Sequence, residues 1–494
     1  MRKAGFPFLF GFYGKKASRA TVSLLKDTGA AGVLLLARNI ETAAQTRALT
    51  EELVQRVGRP LLFSIDHEGG WVLRFKSGVT PLPGNCALGR AGDDKLAYAT
   101  GRQMALELRP LGIQLNLAPV LDVLTPTYNP GIGIRSFGQD PALVGRLGAA
   151  MIRGLQDHGV AACAKHFPGK GAATVDAHVA LPTIRIPKAE FERVHVRPFK
   201  DAVDAGVASI MTSHVKYPAL DAAVATFSRK ITRAVLRRKL GFQGAVIADD
   251  LCMGAVSGRM PIQQAAVQAM DAGHDLLIIA HDLDAQAESA AMMEEALGGG
   301  LLDRADFEAS CARVDALLDP ASPKRGRASA AEGLALAREV ARLGVSPLRS
   351  GELPLPLRPG KKPLLVVFPD FPEVTERFTF EGGPLGPERA VKKRLSQWGP
   401  HKLMRAPVEA ADARRVAKAA AEAERVLFFC FEARRFPGQK ASLEALNRRA
   451  PGKTALCLIR SGWDLDWADA RMSAVDAGGY RLTQLEAALD QVLA

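Results

Sequence analysis

Two polar side chains in a glycine- and proline-rich stretch have a spacing that suits proton transfer. Asp176 and His178 are two residues apart, so in an extended loop both side chains lie on one side of the backbone. The carboxylate can then accept a hydrogen bond from one imidazole nitrogen, which fixes the tautomer and leaves the other nitrogen for proton transfer. Taken alone, the pair is also compatible with a metal site or with an ordinary surface histidine.

A second group of acids follows short apolar runs. Asp249 and Asp250 come directly after residues 245–248, so the strand would hold a partly desolvated carboxylate. Such a carboxylate suits a nucleophile, a metal ligand or a structural acid. Paired acids can bind Mg²⁺, but no third acid stands at a matching spacing. Asp66, which follows another apolar run, could accept two hydrogen bonds from the hydroxyls of a sugar.

The elements that would position these groups form a regular alternation. Eight short apolar runs recur in the first 285 residues, with helical patterns between most of them, for example at 42–57, 94–108, 141–158 and 262–272. Strands that are buried on both faces and alternate with helices indicate a parallel sheet, and eight such units predict a (β/α)8 TIM-type barrel. The predicted strands are 8–12, 32–37, 61–65, 114–119, 161–164, 208–212, 245–248 and 275–280.

A barrel of this kind gathers its active site at the carboxyl ends of the strands. Six of the eight predicted strands end in titratable residues, which favours a real site over a chance distribution. These residues are Asp66 and Glu68, Asp122, Lys165 and His166, His214, Asp249 and Asp250, and His281.

Three regions are expected along the chain. A catalytic barrel domain with a helical tail, broken by a proline-rich stretch at 320–326, is expected over residues 1–345. A linker rich in proline and glycine follows over 346–362. A smaller doubly wound α/β domain of unknown role is expected over 363–494, with strands at 363–368, 425–431, 454–460 and 473–476. No glycine-rich phosphate loop follows a strand there, so no nucleotide site is predicted.

The bulk composition narrows the class of protein. Hydrophobic residues make up 48% and charged residues 24% of the 494 residues, which excludes disordered, collagen-like and disulfide-framework classes. The net charge of +13 is spread over the chain without a basic arm, so no nucleic-acid partner is expected. Six scattered cysteines indicate thiols in a reducing compartment. No apolar run is long enough to span a bilayer and no cleavage site follows the first residues, so we expect a cytoplasmic protein without membrane insertion.

Several segments together resemble glycoside hydrolase family 3, and most closely its β-N-acetylhexosaminidase branch. They occur in order over about residues 5–285. The run KHFPGKG at 165–171, followed by the Asp-x-His at 176–178, is specific to that branch, and the other segments are shared more widely. These are IDHEGG at 65–70, NLAPVLDV at 116–123, RSFG at 135–138, MTSH at 211–214 and DDL at 249–251.

The resemblance implies retaining hydrolysis in two steps, without a cofactor or a metal. Asp249, the first acid after the strand, would be the nucleophile that forms a glycosyl-enzyme intermediate. His178 would be the general acid and then the general base, oriented by Asp176. A histidine departs from the usual pair of carboxylates, and an imidazole avoids charge repulsion with Asp249. The positions that match sugar-binding residues of the family are Asp66, Arg74, Arg135, Lys165, His166 and His214.

Four residues depart from those frequent in the family. Trp71 stands where arginine is frequent, Lys170 where a second histidine is frequent, and Ala177 and Ala248 where serine is frequent. None of these changes removes a group that the resemblance assigns to the chemistry. They leave the loop geometry and the aglycone preference open.

The expected function is that of an exo-acting β-N-acetylglucosaminidase that acts on a small saccharide or muropeptide from peptidoglycan. The nearest alternatives are a β-N-acetylglucosaminide phosphorylase and a β-glucosidase on the same fold. A non-catalytic sugar-binding protein and a metalloenzyme are alternatives from other classes. The natural aglycone and the oligomeric state are not predicted.

Overall fold

The chain forms two compact units. The computed structural model describes residues 6–318, 324, 326–375 and 377–494, so most of the predicted break at 320–326 lies outside the described residues. The barrel unit contains the chain up to Glu68 and Asp93–Ser329, and the second unit contains Gly69–Gly92 and Ala330–Ala494. This division differs from the expected domain bounds because the segment Gly69–Gly92 and the end of the expected helical tail belong to the second unit.

The barrel unit is a closed barrel of eight parallel strands, as the sequence predicts. Each strand pairs with the next along the chain, and β8 pairs with β1 to close the barrel. The strands are nearly fully buried because one face points into the barrel and the other packs under helices. One apolar cluster takes residues from all eight strands. The strands are β1 (Phe6–Phe10), β2 (Ala30–Leu35), β3 (Leu62–Ile65), β4 (Leu115–Asn116), β5 (Ala161–Phe167), β6 (Ser209–Thr212), β7 (Ala245–Ala248) and β8 (Leu276–Ile279).

Helices alternate with these strands, and side-chain caps fix several of their first residues. Thr42 and Asp140 each accept a hydrogen bond from a backbone N–H in the first turn of the helix that follows. The helices are Arg19–Asp27, Ala43–Val57, Asp94–Leu108, Pro141–Gln156, Lys188–Phe191, Arg197–Asp204, Gly254–Ser257, Ile262–Ala272, Leu283–Gly298 and Arg304–Leu318, with π-helical Glu192–Val196 and Lys230–Lys239. Shorter elements are the 3₁₀ turns Ala37–Asn39, Arg109–Leu111, Gly133–Arg135 and Ala225–Phe227 and a ribbon of Lys216–Tyr217 with Asp221–Val224. No helix within the described ranges has both the length and the apolarity needed to cross a membrane.

The second unit is a doubly wound α/β fold around a six-stranded sheet. Its strands are β9 (Ser346–Arg349), β10 (Leu364–Pro369), β11 (His401–Ala406), β12 (Val426–Cys430), β13 (Thr454–Leu458) and β14 (Ser473–Asp476). They lie in the order β9-β14-β13-β12-β10-β11, and only β9 among them runs antiparallel to its neighbour. Its helices are Asn85–Ala91, Ala330–Gly344, Gly386–Trp398, Arg414–Glu422, Pro437–Arg449 and Leu482–Val492, with 3₁₀ turns Phe371–Val374, Pro451–Lys453 and Gly462–Trp467.

Two strands of this sheet were not predicted. β9 falls inside the expected linker, and β11 falls between two predicted elements. Both are edge strands. β9 contains Pro347, and β11 mixes charged with apolar residues and is only partly buried, so neither shows the continuous apolar run of a central strand.

The segment Gly69–Gly92 is bound into the second unit by buried arginines. Arg481 donates a hydrogen bond from Nε to the carbonyl oxygen of Gly70. The guanidinium carbon of Arg460 lies 3.2 Å from the centre of the Trp71 ring, and Arg460 forms a 2.8 Å ion pair with Glu432. Arg460 and Glu432 are both buried. Trp71, one of the departures from the family, therefore has a packing partner in the second unit.

We predict that the buried Arg460–Glu432 pair makes the second unit sensitive to loss of either charge. Glu432→Gln removes the negative charge from this buried pair and should lower the free energy of unfolding by about 3–5 kcal/mol. The double change Glu432→Gln with Arg460→Met should recover much of this loss, because both charges are removed together. Urea unfolding of the full chain measures the free energy of unfolding of the single and the double variant. As a control, Glu444→Gln in the half-exposed Lys440–Glu444 pair should cost at most about 0.5 kcal/mol. An equal loss in Glu432→Gln and Glu444→Gln would contradict the prediction.

Candidate active site

Four charged side chains form a network at the carboxyl end of β3. Lys165 Nζ lies 2.7 Å from Asp66 Oδ1 and 2.6 Å from Glu68 Oε1. Arg135 binds Glu68 with two parallel hydrogen bonds of 2.8 Å, from Nε to Oε2 and from Nη2 to Oε1. The structure thus brings together three predicted site residues, Asp66, Arg135 and Lys165. They lie around Glu68, which was not assigned a role.

The charges in this network support one another although they are buried. Burial would raise the pKa of Glu68, but Arg135 and Lys165 more than offset this and hold the pKa below its ordinary value. Burial would lower the pKa of Lys165, but Asp66 and Glu68 raise it. Glu68 and Lys165 therefore stay ionised, and charged donors and acceptors of this kind bind hydroxyl groups strongly.

His166 is held in one tautomer by a buried aspartate. Its Nδ1 lies 2.7 Å from Asp122 Oδ2, and a carboxylate accepts, so Nδ1–H is the donor. Burial holds the pKa of His166 well below its usual value, so the ring is neutral. The ring therefore presents Nε2 as its hydrogen-bond acceptor. Asp122 also accepts a 2.7 Å hydrogen bond from the backbone N–H of Lys170.

Asp249 follows β7 and is partly buried, with 17% of its side chain exposed. Its Oδ1 accepts a 2.9 Å hydrogen bond from the N–H of Asp250, and its Oδ2 lies 3.9 Å from Lys170 Nζ. Burial would raise the pKa of Asp249, but the nearby ammonium group of Lys170 holds it below the ordinary value. An ionised, partly desolvated carboxylate is suited to nucleophilic attack.

The neighbouring Asp250 has a different environment from Asp249. Its Oδ1 accepts 3.1 Å hydrogen bonds from the N–H groups of Cys252 and Ala280, and its Oδ2 lies 3.6 Å from His281 Nε2. Burial raises the pKa of this carboxyl. Asp250 therefore ties the loop after β7 to the end of β8.

His214 uses both ring nitrogens within the protein. Its Nε2 lies 3.0 Å from the carbonyl oxygen of Asp250, which can only accept, so Nε2–H donates. Burial lowers the pKa of His214, so the ring is neutral and Nδ1 accepts from the Thr226 hydroxyl at 2.7 Å. His214 holds the backbone of the Asp249–Asp250 pair, and the predicted contact of its ring with substrate stays a prediction.

Asp176 and His178 form the hydrogen-bonded pair that their spacing predicts. His178 Nδ1 lies 2.8 Å from Asp176 Oδ1, and the His178 N–H donates to the same oxygen at 3.1 Å. Burial would raise the pKa of Asp176, but these hydrogen bonds hold it well below its ordinary value. Since the carboxylate accepts from Nδ1–H, Nε2 of the exposed His178 ring is the nitrogen that can exchange a proton. Among the residues that the structure describes, no three His, Cys, Asp or Glu side chains are grouped as metal ligands.

The loop that carries this pair is docked on the loop after β7. The Ala255 N–H donates a 3.1 Å hydrogen bond to the Ala177 carbonyl oxygen, and both alanine side chains pack with Met253 in a small buried cluster. A Cβ atom added to Gly254 would lie 2.8 Å from the carbonyl oxygen of His178. The Ala177 departure therefore supplies a small apolar side chain to this contact.

Arg74 is the predicted site residue that does not lie in the barrel unit. It belongs to Gly69–Gly92 of the second unit, so its role toward substrate stays a prediction. Conversely, three residues take part in the site without having been assigned a role: Glu68, Asp122 and Lys170. Glu68 and Asp122 carried a signal, because each follows a predicted strand, whereas Lys170 stood out only as a departure from the family.

Comparisons with known proteins agree with this architecture. The model of the glycosyl hydrolase family 3 N-terminal domain matches residues 6–317. The β-hexosaminidase of Thiobacillus denitrificans is 40% identical over 276 residues, which cover 55% of this chain and 77% of that protein. The β-hexosaminidase of Neisseria meningitidis serogroup C is 35% identical over 322 residues, which cover 60% of this chain and 89% of that protein.

A solved structure extends the similarity over both units. The glycoside hydrolase family 3 β-N-acetylglucosaminidase from Paenibacillus sp. is 31% identical, and the superposition has a TM-score of 0.90. It covers 99% of this chain and 95% of the other. The family predicted from the ordered motifs is confirmed. The chain is a glycoside hydrolase and belongs to glycosyl hydrolase family 3.

Proposed function

We propose that the protein is a retaining exo-β-N-acetylglucosaminidase that acts through a covalent glycosyl-aspartate intermediate. The proposal is supported chiefly by the contact between two loops. One loop carries an ionised, partly exposed carboxylate, Asp249, and the other carries the Asp176–His178 pair. The hydrogen bond from Ala255 to Ala177 joins the two loops. A nucleophile beside a proton-transfer group is what a double-displacement reaction requires.

In the first step, a carboxylate oxygen of Asp249 attacks the anomeric carbon of the terminal sugar. The bond from that carbon to the glycosidic oxygen breaks, and the proton on Nε2 of the His178 imidazolium passes to the leaving oxygen. Asp176 stabilises the imidazolium through Nδ1–H and sets the orientation of the ring.

In the second step, a water molecule attacks the anomeric carbon. Its proton passes to Nε2 of the now neutral His178, and the bond to Asp249 breaks with its electron pair returning to the carboxylate. The anomeric configuration is retained because two inversions occur. An imidazole in this role is neutral when it accepts the proton, so it does not repel the carboxylate that leaves.

The substrate assignment combines the rim charges with the relatives. Asp66 and Lys165 supply a charged acceptor and a charged donor for sugar hydroxyls, and neutral His166 supplies another acceptor. The relatives named above are β-hexosaminidases, and the Paenibacillus protein is a β-N-acetylglucosaminidase. We therefore propose terminal β-linked N-acetylglucosamine, carried on peptidoglycan fragments. The six cysteines, all within the described ranges, form no disulfide, which fits a reducing compartment, and we propose a cytoplasmic location.

The assignment of Asp249 is tested by chemical rescue. Asp249→Ala removes the nucleophile and should lower the hydrolysis of 4-nitrophenyl β-N-acetylglucosaminide about 10³-fold or more. Azide fits the space vacated by the carboxylate, so it should restore release of 4-nitrophenol and give the α-glycosyl azide, which NMR identifies. Asp250→Ala is the matched control and should gain nothing from azide.

Wild-type hydrolysis in Asp249→Ala would contradict the proposal. The same substrate assayed with and without phosphate separates the phosphorylase, which would form the sugar 1-phosphate faster than the free sugar. The 4-nitrophenyl β-glucoside tests the β-glucosidase alternative, which predicts faster hydrolysis of the glucoside.

The loop contact itself predicts the effect of a single methyl group. Gly254→Ala places a Cβ against the carbonyl oxygen of His178 and should displace the Asp176–His178 pair, with kcat about 10- to 100-fold lower. Gly298→Ala is the control, because a Cβ there meets open space, and it should leave kcat unchanged. Steady-state assays with thermal melts separate a displaced loop from an unfolded protein. An unaltered kcat in a folded Gly254→Ala protein would show that the contact does not position the pair.

A further inference from the structure

Lys170 brings a buried cation next to the proposed nucleophile at a position where the family frequently has histidine. Its ammonium nitrogen lies 3.9 Å from Asp249 Oδ2, and only 7% of the residue is exposed. The proposed mechanism gives this lysine no part. A lysine carries its positive charge over a wider pH range than a histidine does, so the exchange alters the electrostatics around Asp249.

The backbone of Lys170 is fixed, which makes the position of its charge a built feature. Its N–H donates to Asp122 Oδ1 at 2.7 Å, and its carbonyl oxygen accepts from Asn129 Nδ2 at 2.9 Å. The next residue, Gly171, lies so close to the carbonyl oxygen of Val123 that an added Cβ would clash with it. The loop therefore cannot shift to take the side chain away from Asp249 without breaking these contacts.

The surrounding charges come from several elements of the barrel unit. Asp249 is faced by Lys170 and His178 from the loop after β5, by His214 from the loop after β6, and by Asp250 on its own loop. Burial lowers the pKa of Lys170 below its ordinary value and Arg135 acts in the same direction, while the carboxylates of Asp249, Asp122 and Asp176 favour the charged form. At its ordinary pKa, a lysine keeps its charge above neutral pH, whereas a histidine loses its proton there.

We propose that Lys170 is a positioning residue that keeps Asp249 ionised before attack and stabilises its carboxylate as the intermediate is hydrolysed. This inference rests on the proposed role of Asp249 as nucleophile. In the hydrolysis step, the bond between the anomeric carbon and Asp249 breaks and the electron pair returns to the carboxylate. A cation 3.9 Å away stabilises that developing charge, since both side chains are largely shielded from solvent.

The two steps of the reaction should respond differently to loss of this charge. The ammonium stabilises the free carboxylate, so removing it raises the pKa of Asp249 and makes the ionised oxygen a somewhat stronger nucleophile. The same change makes Asp249 a poorer leaving group. Glycosylation above the pKa should therefore be largely preserved, whereas hydrolysis of the intermediate should slow.

Lys170→Met tests the proposal, with 4-nitrophenyl β-N-acetylglucosaminide as substrate over a range of pH. The acidic limb of kcat/KM should move about 1–3 pH units upward, because an opposite charge at this distance shifts a carboxyl pKa by that amount. Just above the acidic limbs of both proteins, where Lys170 is protonated, kcat should fall about tenfold while kcat/KM changes little, since 4-nitrophenol leaves readily and kcat reports hydrolysis of the intermediate.

Three further variants complete the test. Lys170→Arg keeps the charge and should restore the acidic limb to its wild-type position. Lys170→Gln is a second neutral variant, used if thermal melts show that Lys170→Met does not fold. Lys188→Met makes the same change at an exposed site and should leave the pH profile unaltered.

The possible failures are distinguishable. An unmoved acidic limb in a folded Lys170→Met protein, with Asp249→Ala inactive, overturns the role of Lys170 and leaves the proposed function standing. A rise in KM with an unmoved limb also overturns it, because the lysine would then contact substrate. Full hydrolysis by Asp249→Ala contradicts the proposed function itself.

Discussion

The site depends on keeping carboxylates ionised where burial favours their neutral form. Glu68 stays charged because Arg135 and Lys165 lie within hydrogen-bond distance, and Asp249 stays charged because Lys170 lies beside it. Where burial is not offset in this way, as at Asp250, the carboxyl instead caps backbone N–H groups. Asp249 and Asp250 are adjacent in the sequence, so it is the cation beside Asp249 that distinguishes the proposed reactive carboxylate from the structural one.

A second constraint is that the reacting groups stand on different loops of the barrel. The contact between Ala177 and Ala255 joins the loop after β5 to the loop after β7, and small residues at the contact let the backbones approach. His214 holds the Asp249–Asp250 backbone from a third loop. The barrel provides the rigid strand ends, and these few loop contacts provide the alignment that a two-step displacement needs.

Elements and contacts formed by residues close together in the sequence were mostly predictable, whereas contacts between residues far apart in the chain were not. The eight barrel strands were predictable because strands buried on both faces read as continuous apolar runs, and Asp176 with His178 because the pair is formed by near neighbours. The stacking of Arg460 on Trp71 was not predictable, since it joins residues far apart in the chain, and the proximity of Lys170 to Asp249 depends on loop conformation. Edge strand β11 was missed because its half-exposed residues lack an apolar run.

The central claim is that Asp249 carries the sugar between two proton transfers by His178. Trapping the intermediate in His178→Ala with 4-nitrophenyl β-N-acetylglucosaminide tests it most directly. The good leaving group departs without an acid, whereas water attacks slowly without a base. Mass spectrometry of the quenched, digested protein should find one N-acetylhexosaminyl group on the peptide that contains Asp249. An unmodified peptide during turnover, or a sugar on another residue, would contradict the account.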